Sequence, residues 1–368
     1  MTICEKQFTQ LLRAVIANGE MPVITDWAGI LDLSRRHHLE VIVREAARNY
    51  SDVPDVIRSE IESAYNLMLA HSIRRDHCLL QIEEALAGNG IQYALLKGAI
   101  LKDDYPDTFY RFMSDLDFYI RTEDRAKIRK AVEKAGGEFR GKESGDDQFI
   151  FRNTIGVEFH GRLLYRNTKH GIENYPDWSL VDEHENRLTE EGFALNLLGH
   201  AVHDLAGAGP GIRYILDLWV YRHRHVPQPD WNAVDERLKT DSIYEAAHNL
   251  LDLSEYLFGD GAKTDLMEEM AEYVMKGGLH GDYKRGLASQ AAEGKATVRQ
   301  IFRNRAEFEN RYPWLKKYPF LLPVAWVMRL FHSLKTHKKT IKEWKNGIND
   351  VTDGEAENQK KTLSRFGL

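Results

Sequence analysis

The hydrophobic period of this 368-residue chain changes twice, and that change limits the folds open to it. Over roughly the first 85 residues, apolar side chains recur every three or four positions, which puts one apolar stripe on each helix. Phe8, Leu11, Leu12, Val15 and Ile16 form one such stripe, and Ile57, Ile61, Ala64, Tyr65 and Met68 form another. Asp52–Pro54 punctuates them. A long helix is predicted from Pro54 through Ala87, ended by Gly88-Asn89-Gly90, where a left-handed cap is tolerated.

From residue 91 to residue 163 the period falls to two. Strands are predicted over Ile91–Leu96, Met113–Ile120, Gln148–Arg152 and Gly156–Leu163. A short helix over Ala99–Asp104, closed by Tyr105-Pro106-Asp107, lies between the first two. A longer one, capped by Thr122 and running to Gly136-Gly137, follows the second. From Thr189 the helical spacing returns, with Leu195, Leu198, Val202 and Leu205 in one stripe. Ile212, Ile215, Leu216, Trp219 and Val220 form the next, and the pattern continues to Trp344. The expectation is an α+β fold: a small mixed sheet with packed helices, flanked by N- and C-terminal helical regions. Its divisions are 1–87 (helical), 88–170 (mixed core), 171–346 (helical) and 347–368, a polar, frayed tail.

Composition narrows the functional classes. A hydrophobic share of 43% supplies a sizeable core, and a net charge of −6 argues against a protein that coats DNA or RNA by neutralising phosphates. The only cysteines, Cys4 and Cys78, have no metal-ligand or redox spacing, which suits a reducing compartment. The N-terminal residues lack a charged-then-apolar leader pattern. No stretch reaches the ~18–20 apolar residues of a membrane span. A cytoplasmic protein without a transmembrane segment is expected, and its oligomeric state is left open. Lys335, Lys338, Lys339, Lys342 and Lys345, interleaved with Leu334, Ile341 and Trp344, could meet an anionic acceptor or a membrane surface. A solvated helix face is the plainer reading.

The chemistry concentrates in Ser114-Asp115-Leu116-Asp117-Phe118. On a strand, Asp115 and Asp117 project from one face while Leu116 and Phe118 turn to the core. Adjacent carboxylates repel unless a cation neutralises them, and hard divalent ions take such oxygens together with substrate phosphates. The bland alternative is a solvated strand face. Lys97-Gly98 closes the preceding strand, and glycine there permits close backbone approach, with N–H groups free for phosphate. Arg111 could offer a guanidinium to phosphate, or serve as a structural partner of the aspartates. Val157-Glu-Phe-His160 alternates in the same way, placing Glu158 and His160 on one face. A third carboxylate on a neighbouring strand would complete a site for two ions about 3.5–4 Å apart. Elsewhere, His200 and Asp204 read as a local polar pair, and Arg213 with Asp217 as an intrahelical ion pair.

Taken together, Leu95-Leu-Lys-Gly-Ala99, Tyr105-Pro106, Arg111, Ser114-Asp-Leu-Asp117 and Val157-Glu-Phe-His160 resemble the bacterial uncharacterised nucleotidyltransferase family, within the DNA polymerase beta-like nucleotidyltransferase superfamily. His200, His203, Arg213 and Asp217 fit that family's helical pattern. The resemblance implies transfer of a nucleoside monophosphate from an NTP donor to an acceptor, with release of pyrophosphate and dependence on Mg²⁺ or Mn²⁺. Asp115 and Asp117 would bind metal, and Glu158 would complete the metal set and help activate the acceptor hydroxyl. Lys97, Gly98, Arg111 and Ser114 would contact the nucleotide, with His160, His203 and Asp217 further out. Ala99 stands where the wider superfamily has glycine or serine after the turn glycine. The acceptor, whether small molecule, peptide or protein, is not written in these motifs. A catalytically inactive nucleotide-binding or regulatory protein of the same fold is the alternative.

Overall fold

The chain opens on α1 (Ile3–Ile16), whose start is fixed by a capping box: Thr2 Oγ1 accepts from the Glu5 N–H, and the Glu5 carboxylate accepts from the Thr2 N–H. Of its predicted stripe, Phe8, Leu11, Leu12 and Ile16 are fully buried and Val15 is half-buried. α2 (Trp27–His37) and α3 (Glu40–Ala47) pack on it, and the 33-residue α4 (Asp55–Ala87) follows. The computed structural model describes residues 1–143, 146–168, 171–279, 281–292, 312, 314–328 and 350–368. The basic run at 335–345 lies outside the described residues.

After Gly90, at φ 58°, the chain enters a seven-stranded mixed sheet. Its strands are β1 (Tyr93–Leu95), β2 (Asp115–Ile120), β3 (Gly137–Glu143), β4 (Asp146–Phe151), β5 (Ile155–His160), β8 (Val181–Asp182) and β9 (Arg187–Leu188), in the order β3-β4-β5-β2-β1-β9-β8. β6 (Leu164–Thr168) and β7 (Gly171–Tyr175) pair antiparallel in a separate two-stranded sheet. β2 lies antiparallel to β1 and parallel to β5, and this trio carries the predicted acidic residues. Two helices interrupt the strands: α5 (Gly98–Leu101) and α6 (Arg125–Lys134).

The pleat sorts side chains as the alternation required. Leu116, Phe118, Phe149, Val157 and Phe159 meet Cys78, Ile82 and Leu86 of α4 and Ile128 and Val132 of α6 in one core. Each phenylalanine buried there contributes about 2–3 kcal/mol. The opposite face carries Asp115, Asp117, Glu158 and His160, and beside them Tyr119, which joins the larger helical core. That core is built from α1–α3 with α7 (Glu190–Ala206), α8 (Ile212–Arg224), α9 (Trp231–Thr240), α10 (Tyr244–Phe258) and α11 (Asp265–Lys276). α12 (Tyr283–Ala292) and a C-terminal helix, Asp353–Arg365, follow them in the chain. Among the described residues, no helix is long and apolar enough to cross a membrane.

Three expectations need correction. The sheet draws β8 and β9 from the span read as helical, because two-residue strands carry no measurable period. Thr122 is not the residue at which α6 starts: residues Thr122–Asp124 form a 3₁₀ turn, Asp124 stands at the N-cap position, and the α-helix begins at Arg125. The tail read as frayed instead folds as the helix Asp353–Arg365, started by a second capping box at Thr352 and Glu355. Phe366 then enters the main core edge-on to Tyr273, and Gln359 donates to Tyr273 Oη at 2.9 Å and Ser289 Oγ at 3.0 Å. The polar composition of that tail describes its outer face only.

Candidate active site

β1 leads into a tight turn in which Lys97 adopts φ 50°, ψ −122°. A side chain held there costs about 1–3 kcal/mol of backbone strain, sustained only where surrounding contacts fix it. The Leu96 N–H donates to the Asp117 carbonyl at 3.1 Å, tying the turn to β2. Gly98 follows, and a Cβ there would stand 2.5 Å from Met113 Sδ, so a larger residue would have to displace the Met113 side chain. The strained backbone aims Lys97 across the sheet, where Nζ lies 3.2 Å from Asp117 Oδ2. Burial favours the neutral amine, but Asp117 outweighs it, and the ammonium is held above its ordinary range.

Asp117 is the hub. The register pairs it with Glu158 on β5, and Asp115 with Gly156. His160 Nε2 lies 2.6 Å from Asp117 Oδ1 and 3.6 Å from Glu158 Oε2, while its Nδ1 lies 3.3 Å from Asp146 Oδ2. Burial opposes the charge on Asp117, yet Lys97 and His160 overcome it and hold the carboxyl well below the usual range. His160, also buried against its charge, is raised to about 9 by its bonds to Asp117 and Asp146. Glu158 moves the other way, raised by burial and then by the charges of Asp117 and Asp115. Gln148 on β4 donates to Glu158 Oε1 at 3.0 Å and fixes its orientation.

One ligand atom from each of Asp117, Glu158 and His160 lies within 4.8 Å of the others, so the three could hold a divalent cation. Two carboxylates and an imidazole suit such an ion, the oxygens favouring Mg²⁺ and the nitrogen admitting Mn²⁺ or Zn²⁺. Asp115 shares the face but is not one of these three, and its Oδ1 accepts from Ser114 Oγ at 3.3 Å. The compact group thus contains His160 where the sequence pointed to Asp115.

Lys97, Gly98, Arg111, Ser114, Asp115 and Asp117 all line one cleft, whose wall is completed by Arg213 and Tyr214 of α8. Arg111 is buried, and its Nε donates to Asp217 Oδ1 at 2.7 Å rather than to either β2 aspartate. Tyr105 Oη donates to the same oxygen at 2.6 Å. Asp217 is therefore engaged by Arg111 and Tyr105, in place of the intrahelical pair with Arg213 that a four-residue spacing suggested. His200 Nδ1 does stand 3.3 Å from Asp204 Oδ2, as read. His203 lies against the Tyr165 ring at 5.1 Å, and His200 stacks on Tyr214 at 5.4 Å. The sequence reading missed Arg213 and Tyr214 as cleft residues, and Asp146 and Gln148 as supports. Only the β4–β5 register and the packing of α8, about a hundred positions along the chain, reveal them.

A mixed sheet with a lysine-glycine turn facing paired strand carboxylates is of the nucleotidyltransferase type. The model of the uncharacterised nucleotidyltransferase family matches residues 24–259, well over half of the chain, and the chain belongs to that family. The match spans every site residue named above. No curated protein and no solved structure matches.

Proposed function

We propose that this protein transfers a nucleoside monophosphate from an NTP to an acceptor hydroxyl, releasing pyrophosphate. The observation that carries the reading is the Asp117–Glu158–His160 group, whose Asp117 lines one cleft together with Lys97 and Asp115. A divalent ion held there, Mg²⁺ or Mn²⁺, would supply neutralisation of charge on the transferring phosphoryl group. Asp115, Asp117 and Glu158 are its proposed carboxylate ligands, with His160 beside them. The bond formed joins the acceptor oxygen to the donor's α-phosphorus. The bond broken is the α–β phosphoanhydride, whose electrons leave on pyrophosphate. Glu158, with its carboxyl already raised in pKa, accepts the acceptor's proton. Lys97 and Ser114 position the donor, and Gly98 lets the backbone approach it. Arg111 and Asp217 act from behind by fixing the wall of the cleft, and His203 stands outside the acidic group. NTP and acceptor are the proposed partners, and the acceptor's identity lies beyond these residues.

Binding of NTP to the full chain, titrated with and without Mg²⁺, tests the reading. Wild type is expected to bind more tightly with the ion, and Asp117→Ala to lose that dependence. Metal-independent binding that ignores Asp117→Ala would favour an inactive nucleotide-binding protein of the same fold.

A further inference from the structure

We propose that Arg213, rather than Arg111, is the guanidinium that binds the phosphate chain of the nucleotide donor. This inference rests on the nucleotidyl-transfer reading above and deepens it. Two guanidiniums meet at the base of the cleft, for Arg111 Nη1 and Arg213 Nη1 both donate to the Phe112 carbonyl, at 2.8 and 3.1 Å. The nearest carboxylate, Asp217, is bonded by Arg111 Nε and Tyr105 Oη. It neutralises one positive charge of the two. Arg213 makes no ion pair among the described residues, and its buried Nε has no hydrogen-bond partner. The residue is only 7% exposed, yet it lines the cleft alongside Lys97, Asp115 and Asp117.

A buried, unpaired guanidinium is costly in the empty protein, since desolvation and like charge both oppose it. Both act here: burial and the neighbouring Arg111 pull the Arg213 pKa down to about 10. A ligand with several negative oxygens would supply the missing counter-charge, and the planar fork of arginine matches phosphate. Asp117 is already bonded by Lys97 and His160, and Asp115, bonded by Ser114, makes no ion pair with Arg213 among the described residues. The nearest rival is Glu40, which feels the Arg213 charge and keeps one buried oxygen without a partner. If Arg213 serves Glu40, its role is structural and its loss lowers stability. If it serves phosphate, stability and binding move in opposite directions.

The test is calorimetric titration of the full chain with inorganic pyrophosphate and with each NTP, all with Mg²⁺, alongside thermal unfolding without ligand. Arg213→Met is expected to weaken pyrophosphate on the order of tenfold to a hundredfold, the loss of a charged hydrogen-bond partner. Its unfolding temperature without ligand should stay level or rise. Should Arg213→Met not fold, Arg213→Lys carries the test. It keeps the charge but loses the planar fork, so pyrophosphate affinity should fall severalfold. Wild-type pyrophosphate affinity in whichever variant folds overturns the proposal while leaving nucleotidyl transfer intact. A wild-type protein that takes up neither pyrophosphate nor any NTP overturns both.

Discussion

Lys97 Nζ lies 3.2 Å from Asp117 Oδ2, and Lys97 is also the residue whose backbone stands at φ 50° in the turn between β1 and α5. A positive-φ position normally favours glycine. A lysine kept there at a cost in strain, and aimed at the hub of the acidic group, ties the turn to the chemistry. Lys97→Ala and Lys97→Gly remove the same charge, but only glycine accepts the backbone. Lys97→Gly should therefore be more stable than Lys97→Ala by about 1 kcal/mol in urea unfolding. Both should bind NTP at least about tenfold more weakly than wild type, as for loss of a charged contact. Equal stability of the two would show that the turn carries no strain.

Asp217 holds together one wall of the cleft, and its side chain is 4% exposed. Removing it strands Arg111 as a second unpaired guanidinium beside Arg213. Asp217→Ala should cost about 3–5 kcal/mol, the typical penalty for breaking a buried pair on one side. Tyr105→Phe, which leaves the ion pair, should cost about 1 kcal/mol. Urea unfolding of the two variants checks the ratio, and a mild Asp217→Ala would mean that water reaches Arg111.

His37 predicts a pH dependence remote from the site. Its ring is fully buried and stacks on Phe8 at 6.3 Å. Burial, helped by the Arg36 charge, lowers its pKa from 6.5 to about 4. Between those values the unfolded chain binds a proton that the folded chain refuses, so stability rises with pH across that window. The contribution is complete above pH 6.5 and is lost as pH falls towards 4, by about 3 kcal/mol in total. Urea midpoints of wild type and His37→Leu at pH 7, 5.5 and 4 isolate it. The two should diverge on acidification, and parallel curves would refute the assignment.

The C-terminal helix is predicted to be part of the folded unit. Phe366 is fully buried against Tyr273, and Phe366→Ala should cost about 3–5 kcal/mol. Gln359→Ala should cost less, about 1 kcal/mol, for hydrogen bonds to Tyr273 and Ser289. Thermal unfolding measures both. A Phe366→Ala protein that melts like wild type would mean that this helix does not dock in solution.

What the chain declares about itself follows the range of the interaction. Asp115 and Asp117 were legible because alternation on one strand is local, and Leu116 and Phe118 are buried as that alternation demands. Lys97-Gly98 was legible as a turn, though not its strain. The partner of Arg111 was not, since Asp217 lies 106 positions away and is brought in by the packing of α8. His160 entered the compact group through a diagonal contact between parallel strands, which no single-strand pattern encodes. Strands β8 and β9 were too short to show a period, and the tail's composition hid the one phenylalanine that anchors it.

If these carboxylates organise nucleotidyl transfer, labelled product must form and must depend on them. The full chain is incubated with each α-labelled NTP, Mg²⁺ or Mn²⁺ and a cell extract as the acceptor pool. Label is predicted to pass to an acceptor with release of pyrophosphate, and to fail to do so in Asp115→Ala and Asp117→Ala proteins that remain folded. No transfer from any NTP across a broad acceptor pool, or equal transfer by the variants, would contradict the claim.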